Sequence, residues 1–167
     1  MEREMEHVFA ALTPANRLVC RVAVHTGLRV GDVLQIRTEK LGTQFWVTEQ
    51  KTGKRRRVNL PKALVEDIKA QAGPEWAFPG TRSPGKPRTR QAVWADVKRA
   101  AKAFRMPQNV GVHSLRKRYA VEQLEHSRGN FERVRKLLNH RDMATTMIYA
   151  MSYQLYLAKY GERSGEK

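Results

Sequence analysis

Cysteine is almost absent: Cys20 is the single thiol in 167 residues, so neither a disulfide framework nor a Cys-paired zinc site can be built from this chain. Its place in the apolar run LVCRVAV predicts a buried, inert thiol. Long apolar runs are missing too. None approaches the roughly 20 residues that span a bilayer, and the opening MEREMEH is charged where a signal peptide carries an apolar stretch. The expectation is a soluble, cytoplasmic protein without a membrane partner. Acid is scarce relative to base, with 16 Asp and Glu against 32 Lys and Arg, a formal charge of +16. Polyanions are the natural partners of such a chain, although charge alone does not choose between DNA, RNA and an anionic membrane surface. Internal repeats, low-complexity segments and an obvious domain boundary are also lacking, so the 41% hydrophobic content serves one core in one domain over residues 1–167.

What is present is mostly helical periodicity. Thr13 and Pro14 suit an N-cap and first helical position, Leu18, Val19, Val22 and Ala23 share the face that follows, and Gly27 stops the helix. A short second helical stretch runs through Leu34. Gly42 to Thr48 and Arg55 to Leu60 read as two strands joined by the turn Lys51-Thr52-Gly53-Lys54, a hairpin with Lys51 at its tip. Pro61 opens a helix with Leu64, Val65 and Ile68 at helical spacing. Val93, Trp94, Val97, Ala100, Ala101 and Phe104 recur at helical spacing from Gln91 to Phe104, which places Trp94 and Phe104 in the core. Further helices are predicted over Ser114 to His126, Phe131 to Leu138 and Met143 to about Tyr149. An amphipathic tail with Tyr153, Leu155, Tyr156, Leu157 and Tyr160 follows. The predicted class is α+β, predominantly α-helical, with a small antiparallel β-sheet. The stretch from Pro79 to Arg90, bearing Arg82, Lys86, Arg88 and Arg90, reads as an exposed loop that either reaches for phosphates or is simply solvated.

Breaking a DNA phosphodiester without metal needs a nucleophile, fixed positive donors for the non-bridging oxygens, and an acid for the departing 5′-oxygen. Arginine suits the second role because its planar, permanently charged fork makes paired hydrogen bonds, whereas lysine can also give up a proton. Three segments supply such residues in order: His25-Thr26-Gly27-Leu28-Arg29 with Asp32 three positions on, Val112-His113-Ser114-Leu115-Arg116, and Leu138-Asn139-His140 with Tyr149 nine residues further. Together they resemble the active-site boxes of the tyrosine recombinases of the phage-integrase type. Any one fragment is weak, but their order and separations together are specific. Lys51 falls on the hairpin turn where that family places its catalytic lysine, and the resemblance covers the chain from about Thr13 to Tyr149.

The resemblance implies a catalytic domain in which Tyr149 attacks phosphorus and leaves a 3′-phosphotyrosyl link and a free 5′-hydroxyl. Arg29, Arg116 and His140 would stabilise the pentacoordinate transition state, Lys51 would protonate the 5′-oxygen, and His113 would assist proton movement from the tyrosine. Asp32 would hold the site by orienting Arg29. The bond energy stays in the covalent link, so no metal, ATP or other cofactor is implied. Lys54, Arg55, Arg82, Lys86, Arg88, Arg90, Lys117 and Arg118 are the candidate DNA contacts. The resemblance further implies a monomer in solution that forms a homotetramer on duplex DNA through the tail, and an N-terminal core-binding domain that this chain does not include. Three positions depart from the family pattern: Asn139 where glycine is usual, Asp32 where glutamate is common, and Lys117-Arg118 where His-Thr is frequent.

Plainer readings compete for each residue. Arg29 with Asp32 could be a surface ion pair, Lys51 one charge in a basic turn, and Tyr149 an amphipathic-helix anchor. Tyr153, Tyr156 and Tyr160 are rival nucleophiles by type, but only Tyr149 has the spacing from His140. A metal site from His25, His113, His126 and His140 lacks the i, i+4 pairing and adjacent glutamate that such a site needs. Two other functions share these features: relaxation of DNA by a type IB topoisomerase, and a catalytically silent DNA-binding module.

Overall fold

The computed structural model describes residues 2–105 and 110–139, together with 143, 144, 146–148 and 151. In chain order the elements are helices α1 (Glu2–Ala11), α2 (Pro14–Thr26) and α3 (Val30–Val33), a 3-10 turn (Thr38–Lys40), strands β1 (Gln44–Thr48) and β2 (Arg55–Asn59), and helices α4 (Lys62–Lys69), α5 (Arg90–Ala103), α6 (Val112–His126) and α7 (Phe131–Leu137). The hairpin is antiparallel with Phe45 opposite Val58 and Val47 opposite Arg56. Alternation along β1 turns Phe45 and Val47 into the protein and leaves Gln44, Trp46 and Thr48 outside.

Helix α2 is the central element and packs against α1, α3, α4, α5 and α6. Its Val19, Cys20, Val22 and Ala23 are buried among Leu64, Ile68, Phe78, Val93, Val97 and Leu115. Each large aliphatic or aromatic side chain taken fully out of water there stabilises the fold by about 1.5–3 kcal/mol. A second, smaller cluster of Tyr119, Ala120, Val134 and Leu138 joins α6 to α7. Cys20 is buried as expected, and burial, with Asp96 nearby, pushes its thiol up to about 12.

Two expectations are corrected, the core placements of Trp94 and Phe104, and one helix is added. Helix α1 was not anticipated, because its opening is so highly charged; it docks through Val8, which is buried, and against α5. Trp94 is not in the core: Val93, Val97, Ala100 and Ala101 take the inward stripe of α5, and the next residue along turns about 100° away, leaving the indole 51% exposed. Phe104 stands at the end of α5, where it is exposed and stacks on the ring of His7 with centroids 5.5 Å apart. Thr13 occupies the N-cap position of α2, yet its side chain caps nothing there.

Thr13 instead serves Asp96 on α5. Its backbone N–H and its hydroxyl both donate to Asp96 Oδ2 at 2.9 Å, Asn16 Nδ2 donates to the same oxygen at 2.8 Å, and Arg99 donates to Oδ1 at 2.6 Å. Burial raises the Asp96 carboxyl, but the hydrogen bonds from Asn16, Thr13 and Arg99 outweigh it and hold the group at about 2. A carboxyl depressed in the folded state contributes stability above its unfolded value and loses it as pH falls. Asp96→Asn is therefore expected to cost about 2 kcal/mol in urea unfolding at neutral pH, the gap to wild type closing as pH falls from 3.8 to about 2. A gap that stays constant through that window would show that ionisation of Asp96 is not its source.

Candidate active site

The first box is shaped by the end of α2. Gly27 has φ of +67° and donates its N–H to the Ala23 carbonyl at 2.9 Å, a left-handed close to the helix that a side chain would oppose. A Cβ there would also lie 2.3 Å from Tyr119 Cδ1, so the turn rests directly on the ring from α6. Arg29 follows in extended conformation and is partly exposed, while Asp32 in α3 is buried.

Helix α6 supplies the second box. His113 and Arg116 are three residues apart and thus on one side of the helix, His113 exposed in the first turn and Arg116 buried. Arg29, His113 and Arg116 line one cleft with Arg90, Gln91 and Trp94 from the start of α5 and Val30, Gly31 and Val112. The fold therefore brings together three of the residues singled out from sequence, from segments far apart in the chain. Lys51 is exposed on the β1–β2 turn and is not among the residues lining that cleft. His140 and Tyr149 lie outside the described residues, as does the tail from Ser152 onward.

Two arginines brace the ends of α2 and α7. Arg116 donates to the carbonyls of Gly27 and Leu138; Arg56 from β2 donates to those of Thr26 and, at 2.7 Å, Leu137. Carbonyls at helix C-termini lack intrahelical partners and carry partial negative charge, so cations satisfy both needs at once. The consequence is that the segment carrying Arg29 and the segment ending at Asn139 are cross-linked by charge-assisted hydrogen bonds.

Glu49, at the end of β1, was not singled out from sequence, where it is one acid in the basic run TEQKTGKRRR. It is fully buried and holds Arg29 Nη1 at 2.7 Å, closer than Asp32, whose Oδ2 is 3.9 Å from the same nitrogen. Burial works to raise the Glu49 carboxyl, but hydrogen bonds from Asn139 and Arg29 and the charges of Arg116 and Arg29 hold it below its ordinary value. Asp32 goes the other way. Burial pushes it up, reinforced by the charge of Glu49, against the N–H of Gln50, which donates to Asp32 Oδ1 at 2.9 Å, and the pull of Arg29 and Arg116. Asp32 thus anchors the hairpin turn to the first box.

The candidate DNA contacts divide by exposure. Lys54, Arg55, Arg82, Lys86 and Arg90 are exposed. The Arg55 guanidinium sits 5.4 Å from the Trp46 ring. Arg88 is half-buried, with burial lowering its pKa, and Arg118 is half-buried and paired with Glu122 at 2.7 Å. Lys117 is half-buried beside Arg116. The loop from Pro79 is folded back on itself, the Gly80 N–H donating to the Lys86 carbonyl at 2.9 Å and the Arg88 N–H to the Phe78 carbonyl at 2.8 Å.

A cleft with two fixed guanidiniums and an imidazole can hold the non-bridging oxygens of a phosphodiester and exchange a proton beside them. Comparison with known proteins agrees with that frame: the model of the phage integrase family matches residues 2–155. The chain belongs to the phage integrase family. Within the family it is 33% identical over 154 residues to a putative integrase/recombinase of Sinorhizobium fredii, covering 87% of this chain and 49% of that protein. The chain thus spans about half the length of that curated relative. The catalytic core of lambda integrase superposes with a TM-score of 0.70 at 24% identity, covering 84% of this chain and 90% of that one. The XerH site-specific recombinase in a post-cleavage complex with its difH substrate superposes with a TM-score of 0.72 at 21% identity, covering 89% and 46% respectively. At these identities the structural likeness establishes the shared fold.

Proposed function

We propose that residues 1–167 form the breaking and rejoining domain of a tyrosine recombinase, acting on duplex DNA by metal-free transesterification. The observation that carries this reading is the convergence of Arg29, His113 and Arg116 on one cleft in a family member of charge +16. Tyr149 attacks the phosphorus; the phosphorus–5′-oxygen bond breaks as the phosphorus–tyrosine bond forms, leaving a 3′-phosphotyrosyl link. Arg29 and Arg116, with His140, neutralise the charge that develops on the non-bridging oxygens, where fixed donors act most strongly. His113 helps move the phenolic proton, and Lys51 delivers one to the departing 5′-oxygen. Attack of a different 5′-hydroxyl on the link reverses the sequence and exchanges strands. Lys54, Arg55, Arg82, Lys86, Arg90 and Lys117 follow the phosphate backbone on either side. The tail docks on a neighbouring copy, giving a ring of four on DNA from a chain that is monomeric in solution.

The test is a nicked suicide duplex incubated in EDTA and resolved on a denaturing gel. A protein-linked strand with its 3′-end attached is expected. Cleavage that appears only when Mg or Zn is added overturns the chemistry, and relaxation of any supercoiled plasmid without strand exchange overturns the recombinase assignment.

A further inference from the structure

We propose that Glu49 is a positioning residue that ties three of the catalytic segments into one unit, and that Asn139 is its partner at the segment of His140; this rests on the recombinase reading above. A buried carboxylate is costly unless it is paired and hydrogen-bonded, and Glu49 is completely buried. Its two oxygens divide the work. Oε2 accepts from Arg29 at 2.7 Å and from the Thr52 hydroxyl at 3.3 Å; Oε1 accepts from Asn139 Nδ2 at 2.9 Å and lies 3.6 Å from Arg56. The backbone of Glu49 closes the turn that carries Lys51, its N–H donating to the Lys54 carbonyl at 3.0 Å and its carbonyl accepting from the Gly53 N–H at 2.8 Å. One residue therefore touches the first arginine, the lysine turn and the residue preceding His140.

Asn139 explains why the arrangement works without glycine. Its φ is +51°, a left-handed conformation that asparagine tolerates better than most side chains but that glycine adopts freely. Glycine there would supply the dihedral alone. Asparagine supplies the dihedral and a side-chain tether to the carboxylate that also holds Arg29. The position of the Arg29 guanidinium and that of Asn139 are thus set by the same group, and each is expected to drift when the other is released.

The experiment compares wild type, Asn139→Gly, Glu49→Gln and the double variant by three readouts. These are single-turnover cleavage of a saturating suicide duplex, affinity for an uncleavable duplex by anisotropy, and melting temperature. Asn139→Gly keeps the backbone conformation and removes only the tether, so cleavage should fall about tenfold while affinity changes by less than about threefold, the split expected of a group acting on the transition state. Glu49→Gln should fall about 100-fold in cleavage, as for loss of one fixed donor, and the double variant by less than the product of the two. If Glu49→Gln melts below the assay temperature, Asn139→Gly alone decides. Cleavage at the wild-type rate by Asn139→Gly, or parallel losses of cleavage and affinity, overturns the inference while leaving the recombinase reading intact. Absence of covalent product from wild type overturns that reading and the inference with it.

Discussion

Tyr149→Phe is expected to abolish covalent protein–DNA complexes while leaving affinity for duplex DNA within a few-fold of wild type. Binding by a protein of charge +16 is dominated by phosphate contacts, to which one phenolic hydroxyl adds little. Cleavage, in contrast, has no other nucleophile at the required spacing from His140. A phenol with an ordinary pKa of about 10 is a poor nucleophile at neutral pH, so its reactivity must come from the surrounding cations. On the proposed recombinase reading those cations are Arg29 and Arg116, which line one cleft. Denaturing gels of the suicide-substrate reaction, run beside anisotropy titrations, check both halves. Covalent product from the phenylalanine variant would show that another residue attacks.

Arg116→Ala is expected to lower cleavage by at least 100-fold and also to lower stability, a double effect that its sequence position alone does not reveal. The guanidinium donates to the carbonyls of Gly27 and Leu138, which close α2 and follow α7. Leaving a buried carbonyl without its donor costs roughly 1–3 kcal/mol each. Arg116→Lys keeps the charge but cannot span both carbonyls with a planar fork, so it should melt above the alanine variant yet cleave far more slowly than wild type. Paired thermal melts and single-turnover rates at a temperature where all three are folded check the separation. If the lysine variant cleaves at the wild-type rate, the paired geometry of Arg116 is dispensable and its catalytic role falls.

The helices of the core were legible because their apolar spacing is regular, and the hairpin because Lys51-Thr52-Gly53-Lys54 separates two short runs rich in strand formers. The candidate site was legible as far as its residues sit in ordered boxes. Glu49 was not, since one acid between Thr48 and Gln50 at the head of a basic run has every sign of a surface residue; its burial arises only when α3, the hairpin and the end of α7 converge. Trp94 was misplaced for a related reason. Its neighbour Val93 satisfies the same helical pattern, and one residue of rotation decides which of the two faces the core and which faces the cleft with Arg29, Arg90 and Arg116. The dual duty of Arg116 was likewise invisible, because the carbonyls it holds belong to segments 89 and 22 residues away.

The most direct measurement is to trap wild type on a suicide duplex in EDTA, digest the covalent complex with nuclease and protease, and identify the nucleotide-bearing peptide by mass spectrometry. A peptide containing Tyr149, with the nucleotide attached through its 3′-phosphate, is the result expected of a phage-integrase-family active site built on Arg29, His113 and Arg116. Attachment at Tyr153, Tyr156 or Tyr160, linkage through a 5′-phosphate, or a requirement for divalent metal would contradict it.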